Sequence, residues 1–228
     1  MSEAAALQDR VTPEQVRNDP EVSGLIRLAD QYLEVIGYTD HGFDHVDRVA
    51  RRASDILTQL DCPPREAELA AIAGYLHDIG NIVHRQGHPM ASALMAWRIL
   101  ERLKMPLEEA AIVVGAIGNH DESNGDPTSA PTSALIISDK SDVLRSRVRN
   151  PKMINFDIHD RVNYAARSAE LKVDKARRLI TLHLVIDTSI STVMEYFEIF
   201  LSRMGITRRA ATFLNCDFKL VINDVELT

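Results

Sequence analysis

Histidine and aspartate side chains recur beside the apolar helical runs of this sequence, and their nitrogen and oxygen atoms could bind a divalent metal ion. The clearest instance is GYLHDIGN, residues 74–81, in which the adjacent His77 and Asp78 close an apolar run. Burying either side chain without a partner costs several kcal/mol, so the pair is satisfied by neighbours or belongs to a site. Four more candidates stand near the ends of other apolar runs: His45, His88, His120 and Asp139. Imidazole and carboxylate ligands suit iron, manganese and similar ions, so the six residues suggest a metal site.

Each of these six residues also has a simpler interpretation. A histidine at a helix end can interact with the helix dipole, and Asp139 can be a carboxylate in the first turns of its helix. Adjacent helical residues point about 100° apart, so His77 and Asp78 address one site only if the ion lies beside the helix or Asp78 bridges two ions. The candidates are spread over five predicted helices, whose packing could bring them together. Periodicity alone does not demonstrate that convergence.

The elements that would position these residues are mainly helices. Apolar residues recur at helical spacing in six stretches of the first two thirds of the chain. Five of the predicted helices cover about 20–36, 43–60, 89–103, 107–120 and 134–147. The sixth lies between the second and third of these: it follows the CPP of 62–64 and ends at His77. Between the helices at 107–120 and 134–147, the polar segment 123–133 predicts a loop and is a candidate lid. Residues 1–19 are polar, and we expect them to be frayed or loosely docked.

The sequence changes character after these helices. Alternating or β-branched runs predict strands at 177–187 and 216–227, and less regular alternation suggests a third at 161–174. A helix over about 190–204, closed by Gly205, lies between the first two of these strands. The tail therefore predicts a small module of mixed helix and sheet.

Taken together, these patterns predict a mainly α fold. Its expected parts are an N-terminal segment (1–19), a helical bundle domain (20–150) and a small C-terminal α+β module (151–228). In the last predicted helix, five apolar residues at helical spacing predict a core or dimer face: Tyr196, Phe197, Phe200, Leu201 and Met204. Trp97 is expected to anchor the helical core, and Arg145 and Arg147 are expected to form a solvated basic face.

Composition and charge argue against several classes of function. The 228 residues carry a net charge of −7 with a pI near 5.6, which argues against broad binding to nucleic acid or acidic lipid. No run approaches the roughly 18 apolar residues of a membrane span, and the first residues lack the order of a signal peptide. Cys62 and Cys216 have no ligand-like spacing, so we interpret them as free thiols in a reducing compartment rather than as a disulfide. The expected location is the cytoplasm.

Four of the candidate ligands follow the order H…HD…D: His45, then His77 and Asp78, then Asp139. With its flanks DHVDRV, LHDIG and SDKSD, this pattern resembles the HD superfamily of metal-dependent phosphohydrolases over roughly residues 35–148. The resemblance implies an HD-type helical bundle in which these four residues are ligands of a divalent ion.

Two further segments, GHPMASALMA (87–96) and AIGNHDE (116–122), resemble the extra histidine motifs of the six-ligand, two-metal branch of that superfamily. The branch implies His88 and His120 as ligands of a second ion, with Asp78 bridging the two. The one or two ions would be Fe, Mn, Co, Ni or Mg. Some relatives, such as the cyclic-dinucleotide phosphodiesterases, carry a second histidine where this sequence has Asp121, so the sequence departs from that subgroup.

Several residues beside the ligands could act on a substrate. Lys140 could hold a phosphate as a point charge, or could be a solvated helix lysine. His41 or Asp121 could pass a proton to the leaving group, and His41 could instead orient a ligand imidazole or cap the TDHG turn. Asp78, as the bridging ligand, would orient the nucleophile.

The expected function is that of an enzyme. A metal-dependent phosphohydrolase would cleave a nucleotide or another small phosphoester with a metal-activated hydroxide. Two alternatives stay open: a mixed-valent di-iron oxygenase on the same ligands, and a non-catalytic module that binds a nucleotide or a partner. The expected partner is a small phosphorylated substrate, without a membrane or broad nucleic-acid binding, and a homodimer could form through the C-terminal module.

Overall fold

The computed structural model describes residues 10–150 and 158–227, which form a mainly α protein with a small C-terminal sheet. Nine α-helices lie within these ranges. They are α1 (Pro13–Asn18), α2 (Pro20–Val35), α3 (Phe43–Gln59), α4 (Pro64–Leu76), α5 (His88–Arg102), α6 (Leu107–Gly118), α7 (Ala130–Lys140), α8 (Ile158–Ala165) and α9 (Val193–Phe213). The strands are β1 (Ala166–Asp174), β2 (Leu179–Ile186), β3 (Asp217–Ile222) and β4 (Val225–Leu227). Short 3₁₀ turns at Ile79–Ile82 and Arg145–Arg147 follow α4 and α7.

The helices begin where polar side chains or prolines suit the free N–H groups of a first turn. Thr12 forms a capping box with Gln15 at α1, and Thr192 forms one with Glu195 at α9. The Asp19 carboxylate accepts hydrogen bonds from the first backbone N–H groups of α2. A proline lies in the first turn of α1, α2, α4, α5 and α7, where its missing N–H would have had no helical acceptor.

Two glycines let the elements that hold the candidate ligands approach closely. A Cβ at Gly74 of α4 would lie 2.6 Å from the Cα of Ala50 in α3. A Cβ at Gly80 would lie 2.5 Å from the backbone oxygen of His88, at the start of α5. Both distances are too short for carbon, so only glycine fits. These contacts bring α3 against α4, and the turn after α4 against α5.

The sheet of the C-terminal part has the order β1-β2-β3-β4. Strands β1 and β2 are antiparallel, β2 and β3 are parallel and joined by α9, and β3 and β4 are antiparallel. One face of the sheet buries Leu182, Leu220 and Ile222 with Tyr196 and Phe200 of α9. The other end of α9 packs on α7, so the sheet is attached to the helical bundle through this helix.

The mainly α bundle and the small C-terminal α+β module are both confirmed. The three-part division stays a prediction, and its boundary at 150 adjoins residues 151–157, outside the described residues. The expectation for the N-terminal segment was wrong for residues 10–18, because α1 docks on the bundle and buries Val11 and Val16. Residues 1–9 of that segment also lie outside the described residues.

Helix α7 differs from the prediction of a helix over 134–147. It begins at Ala130, because the Ser129 side chain accepts a hydrogen bond from the backbone N–H of Thr132, and it ends at Lys140. Residues 130–133 of the predicted loop therefore belong to the helix. Asp139 consequently lies in the last turn of α7, and the prediction that it lies in the first turns was wrong.

The other boundary errors lie in the C-terminal module. Helix α9 continues through Gly205 to Phe213, because its second half buries Ile206, Ala210 and Ala211, and this packing outweighs the weak helix propensity of one glycine. The proposed strand at 161–174 is a strand only from Ala166 onward, since the preceding residues belong to α8.

Several side chains test the packing expectations. Trp97 is 37% exposed, so its assignment as a core anchor was wrong. In the apolar stripe of α9, Tyr196, Phe200 and Met204 are buried, whereas Leu201 is 65% exposed. Both cysteines are free thiols, as expected. No helix in the described part of the chain is both long and apolar enough to cross a membrane.

Candidate metal centre

The six candidate ligands come together at one place between the helices. Each of them lies in the first or last turn of a helix or at most two residues after its end. His45 is in the first turn of α3, His77 and Asp78 follow α4, His88 begins α5, His120 follows α6 and Asp139 ends α7. The four imidazoles and Asp78 are buried, and the Asp139 side chain is 12% exposed.

The first cluster contains His45, His77, Asp78 and Asp139. The Nε2 atoms of His45 and His77 are 3.3 Å apart. The Oδ2 atom of Asp78 lies 3.3 Å from His77 Nε2, and the Oδ1 atom of Asp139 lies 3.5 Å from His45 Nε2. Ligands held about 2.1 Å from one ion lie about 3 to 3.4 Å from each other, so these separations suit a single cation.

The second cluster contains Asp78, His88 and His120. The other carboxylate oxygen of Asp78, Oδ1, lies 3.3 Å from His88 Nε2, and His88 Nε2 lies 3.2 Å from His120 Nε2. The donor atoms of this group all lie within 4.8 Å of one another. Asp78 therefore offers one oxygen atom to each cluster.

Hydrogen bonds fix the tautomer of each imidazole. The Nδ1 atoms of His77, His88 and His120 lie 2.8, 2.9 and 2.7 Å from the backbone carbonyl three residues earlier in each case. A carbonyl oxygen can only accept, so each Nδ1 carries the hydrogen and each neutral ring presents an unprotonated Nε2.

The consequence is a set of lone pairs that face each other inside the protein. When all four rings are neutral, as metal ligands must be, no hydrogen lies between the Nε2 atoms of His45 and His77, which are 3.3 Å apart, or between those of His88 and His120, which are 3.2 Å apart. Such pairs repel unless a cation lies between them. The donor set therefore fits a metal ion.

Charge at the centre favours a cation. Burial raises the pKa of the Asp78 carboxyl, but His77 outweighs it and holds that pKa well below its usual range. Burial likewise raises the pKa of Asp139, and Lys140 and His77 outweigh it. Burial lowers the pKa of His77, yet Asp78 and Asp139 raise it to about 10. The same negative potential that retains a proton on His77 attracts a metal ion to that position.

Asp142 is a buried residue behind His45 that is not among the candidates predicted from the sequence. Its Oδ2 atom lies 2.8 Å from His45 Nδ1 and so orients this imidazole, and its Oδ1 accepts a hydrogen bond of 2.9 Å from Arg48 Nε. Arg52 and Arg147 also donate to this residue, at 3.3 and 2.8 Å. Burial raises the pKa of Asp142, but His45 and Arg147 outweigh it and keep the group ionised. A carboxylate behind a ligand imidazole raises the basicity of the ring and fixes its direction.

A signal for Asp142 existed in the sequence. It is the second aspartate of SDKSD, and Arg48 stands one helical turn after His45. That motif had predicted only Asp139 as a ligand. Arg147 was expected on a solvated face, which was wrong, because it is buried and bonded to the backbone of Asp142.

We expect Asp142→Asn to weaken metal binding by about 10- to 100-fold, because the ring of His45 loses its anionic partner. Titration of the metal-free protein against a chelating dye would measure this. Asp47→Asn is the matched control, since Asp47 pairs with Arg17 on the exposed side of α3. Equal affinities of wild type and Asp142→Asn would show that this carboxylate does not act on the centre.

A cavity of about 290 Å³ opens beside the two clusters. Asp78, Asp139 and His120 line its inner end, and His41 and Lys140 also line it. The side chain of Lys140 is not solvated, since its Nζ lies 2.9 Å from Asp139 Oδ2 and 2.7 Å from Glu122 Oε2.

Of the residues expected to act on a substrate, His41 lines the cavity as Lys140 does, whereas Asp121 does not. The ring of His41 meets that of His45 edge-on at 5.3 Å, and its Nδ1 lies 2.6 Å from the backbone oxygen of Thr39. This contact with Thr39 lies within the TDHG turn, in agreement with the capping alternative, whereas helix α3 itself has no side-chain cap. The Asp121 carboxylate accepts hydrogen bonds from the backbone N–H and the hydroxyl of Ser123, and among the described residues it is not part of the cavity lining.

Comparison with known proteins defines the class of this domain. Residues 42–146 match the family model of the HD domain. This range, slightly under half of the chain, contains all six candidate ligands and is identified as an HD domain. HD domains bind divalent metals, and the His and Asp groups in this range could hold such ions.

Individual relatives are similar over only part of the chain. An uncharacterized protein of Methanocaldococcus jannaschii is 31% identical over 159 residues, with 60% of this chain and 61% of that protein covered. The chain thus spans about three fifths of that relative. The crystal structure of a predicted HD superfamily hydrolase from an uncultured Thermotogales bacterium is 24% identical, with a TM-score of 0.45 over 63% of this chain and 75% of that chain.

Proposed function

We propose that the protein is a metal-dependent phosphohydrolase with two ions, acting on a nucleotide or another small phosphoester. The position of Asp78 between two histidine clusters carries this proposal, because its two oxygens lie 3.3 Å from His77 Nε2 and 3.3 Å from His88 Nε2. The first ion would bind His45, His77, Asp78 and Asp139, and the second would bind Asp78, His88 and His120. A set with four imidazoles suits Fe, Mn, Co or Ni better than Mg.

The residues around the clusters would divide the chemistry as follows. A divalent ion at these ligands lowers the pKa of a coordinated water toward 7 and neutralises charge on phosphoryl oxygens. Asp78 spans both clusters and orients the nucleophile. Lys140 lies beside Asp139 on the cavity wall and attracts a phosphate oxygen. His41 lines the cavity and is placed to pass a proton to the leaving group, whereas Asp121 is engaged by Ser123.

The cavity supports a small anionic substrate. Its volume of about 290 Å³ is at the low end for ligand pockets. Among the described residues, four cationic side chains line it: Arg85, Lys140, Arg147 and Arg203. The homodimer is a further part of the proposal, and its support is that α9 leaves Met194 and Leu201 exposed two helical turns apart.

The test is a phosphorus NMR assay on pooled nucleotides and phosphoesters with Mn²⁺, Fe²⁺ or Co²⁺. We expect metal-dependent loss of one substrate and appearance of its product, and no change with Asp78→Ala. This outcome would establish the hydrolase and identify the bond that it cleaves.

The same samples separate the two alternatives. Absence of turnover in a fully metallated protein would favour the oxygenase, which oxygen consumption by the iron-loaded protein would then have to support. Absence of both turnover and bound metal would favour a non-catalytic binding module. Either outcome would overturn the proposed hydrolase.

A further inference from the structure

We propose that the C-terminal module completes the substrate pocket and that its Arg203, together with Arg85, binds a second phosphate group of the substrate. The substrate class would then be compounds with two linked phosphates. This inference rests on the proposed function, because it assumes that the first phosphate lies at the metal centre.

The cavity is built from both parts of the chain. Asn163 of α8 and Phe200 and Arg203 of α9 line it together with residues of the HD domain. These three residues lie beyond the match to the HD family, which ends at residue 146. The pocket is therefore incomplete without the C-terminal module.

Arg203 is held in a fixed orientation by two neighbours. Its Nε donates a hydrogen bond of 3.1 Å to Glu122 Oε1, and its guanidinium carbon lies 4.6 Å from the centre of the Phe200 ring. Within the described part of the chain, no residue accepts a hydrogen bond from its two Nη atoms. A guanidinium that is held at Nε presents these atoms as a planar fork, which matches two oxygens of one phosphate.

Glu122 connects this arginine to the metal centre. One of its oxygens binds Arg203, and the other lies 2.7 Å from the Nζ of Lys140. Lys140 in turn contacts Asp139 at 2.9 Å. The free side of Arg203 is thus next to the place where Lys140 would meet the first phosphate.

Arg85 provides a second guanidinium of the same kind. Its Nη1 donates a hydrogen bond of 3.1 Å to Asn81 Oδ1, and its guanidinium lies 5.3 Å from the centre of the Tyr38 ring. The same Nη1 lies 3.9 Å from Asp78 Oδ1, and its Nε and Nη2 have no acceptor among the described residues. Its side chain is 24% exposed, and it lines the same cavity as Arg203.

The count of positive groups favours two phosphates over one. Lys140 is committed to Asp139 and Glu122, and Arg147 to Asp142. A single phosphate at the centre would already be neutralised by the two ions. The Nε and Nη2 atoms of Arg85 and the two Nη atoms of Arg203 would then have no acceptor among the described residues, whereas a second phosphate would supply acceptors for both side chains.

Calorimetric titration of the Mn²⁺-loaded protein tests this without turnover. The probes are inorganic phosphate and methylenediphosphonate, whose P–C–P bridge resists hydrolysis, each equilibrated with the same ion. We expect Arg203→Met to weaken diphosphonate binding by about 10- to 100-fold and phosphate binding by less than about threefold. Arg208→Met is the matched control, because Arg208 is exposed on the same helix and should change neither affinity.

Arg203→Lys distinguishes a lost phosphate contact from a folding defect, because lysine keeps a positive charge beside Glu122 but lacks the planar guanidinium fork. We expect an intermediate loss for diphosphonate with unchanged metal content. Equal effects on the two probes, or none, would overturn the assignment. If diphosphonate selectivity depends on Arg203 but no substrate is hydrolysed, the proposed function fails and the assignment of the pocket stands. If a substrate is hydrolysed but diphosphonate binding does not depend on Arg203, the proposed function stands and the assignment of the pocket fails.

Discussion

Replacing Asp78 with alanine is expected to remove turnover and bound metal together. Its two oxygens face different clusters, so the change deletes a ligand from both. It also leaves the Nε2 atoms of His45 and His77 facing each other without the carboxylate that favours a cation there. We expect turnover to fall at least about a thousandfold, because binding of the ions and orientation of the nucleophile are both lost. Elemental analysis and the phosphorus assay on one preparation measure the two effects.

Asp55→Ala is the matched control for this variant, since Asp55 is an exposed aspartate of α3 away from the centre. It should keep wild-type metal content and turnover. An Asp78→Ala protein with full activity would refute the site. Retention of one ion with loss of activity would instead show that one cluster binds without this carboxylate.

Removal of metal is expected to lower the thermal stability of the protein by a large amount. The ions bind the folded state, in which the ligands converge, and have no such site in the unfolded chain. A free ion concentration about 1,000 times the dissociation constant adds about 4 kcal/mol to the free energy of unfolding. For a chain of this size that corresponds to a fall in Tm of roughly 10 °C on chelation. Calorimetry before and after dialysis against a chelator measures it.

The Asp78→Ala protein serves as the control for this second prediction. Its Tm should not respond to the chelator, and adding Mn²⁺ back should restore the Tm of the wild type only. If the wild-type Tm stays unchanged after elemental analysis shows that the metal is gone, binding is not coupled to folding at these ligands.

The sequence predicted the helices well where apolar residues recur with a period near 3.6. It failed at helix ends, because a boundary depends on one hydrogen bond or on tertiary packing. Ser129 starts α7 four residues earlier than the apolar pattern does, and the helix ends at Lys140, so Asp139 lies in the last turn and not in the first turns. Burial of Ile206 and Ala210 carries α9 past Gly205.

The six candidate ligands were selected by residue type and motif, and the structure brings them together. What the sequence could not supply was the set of contacts between distant residues. Asp142 meets His45 across 97 positions of the chain, and Arg203 meets Glu122 across 81. No local pattern encodes such pairs, since they follow from how α3, α7 and α9 pack.

The hydrogen bonds behind the imidazoles also bear on how such a centre can change over time. In the described structure, His77, His88 and His120 are oriented by backbone carbonyls, which every sequence provides whatever its side chains. His45 is oriented by a side chain, that of Asp142. Substitution at position 142 can therefore alter the basicity of one ring while the other three keep their orientation. Such a substitution would also remove the carboxylate that pairs with Arg48 and Arg52, so the metal centre and the packing of α3 would change together.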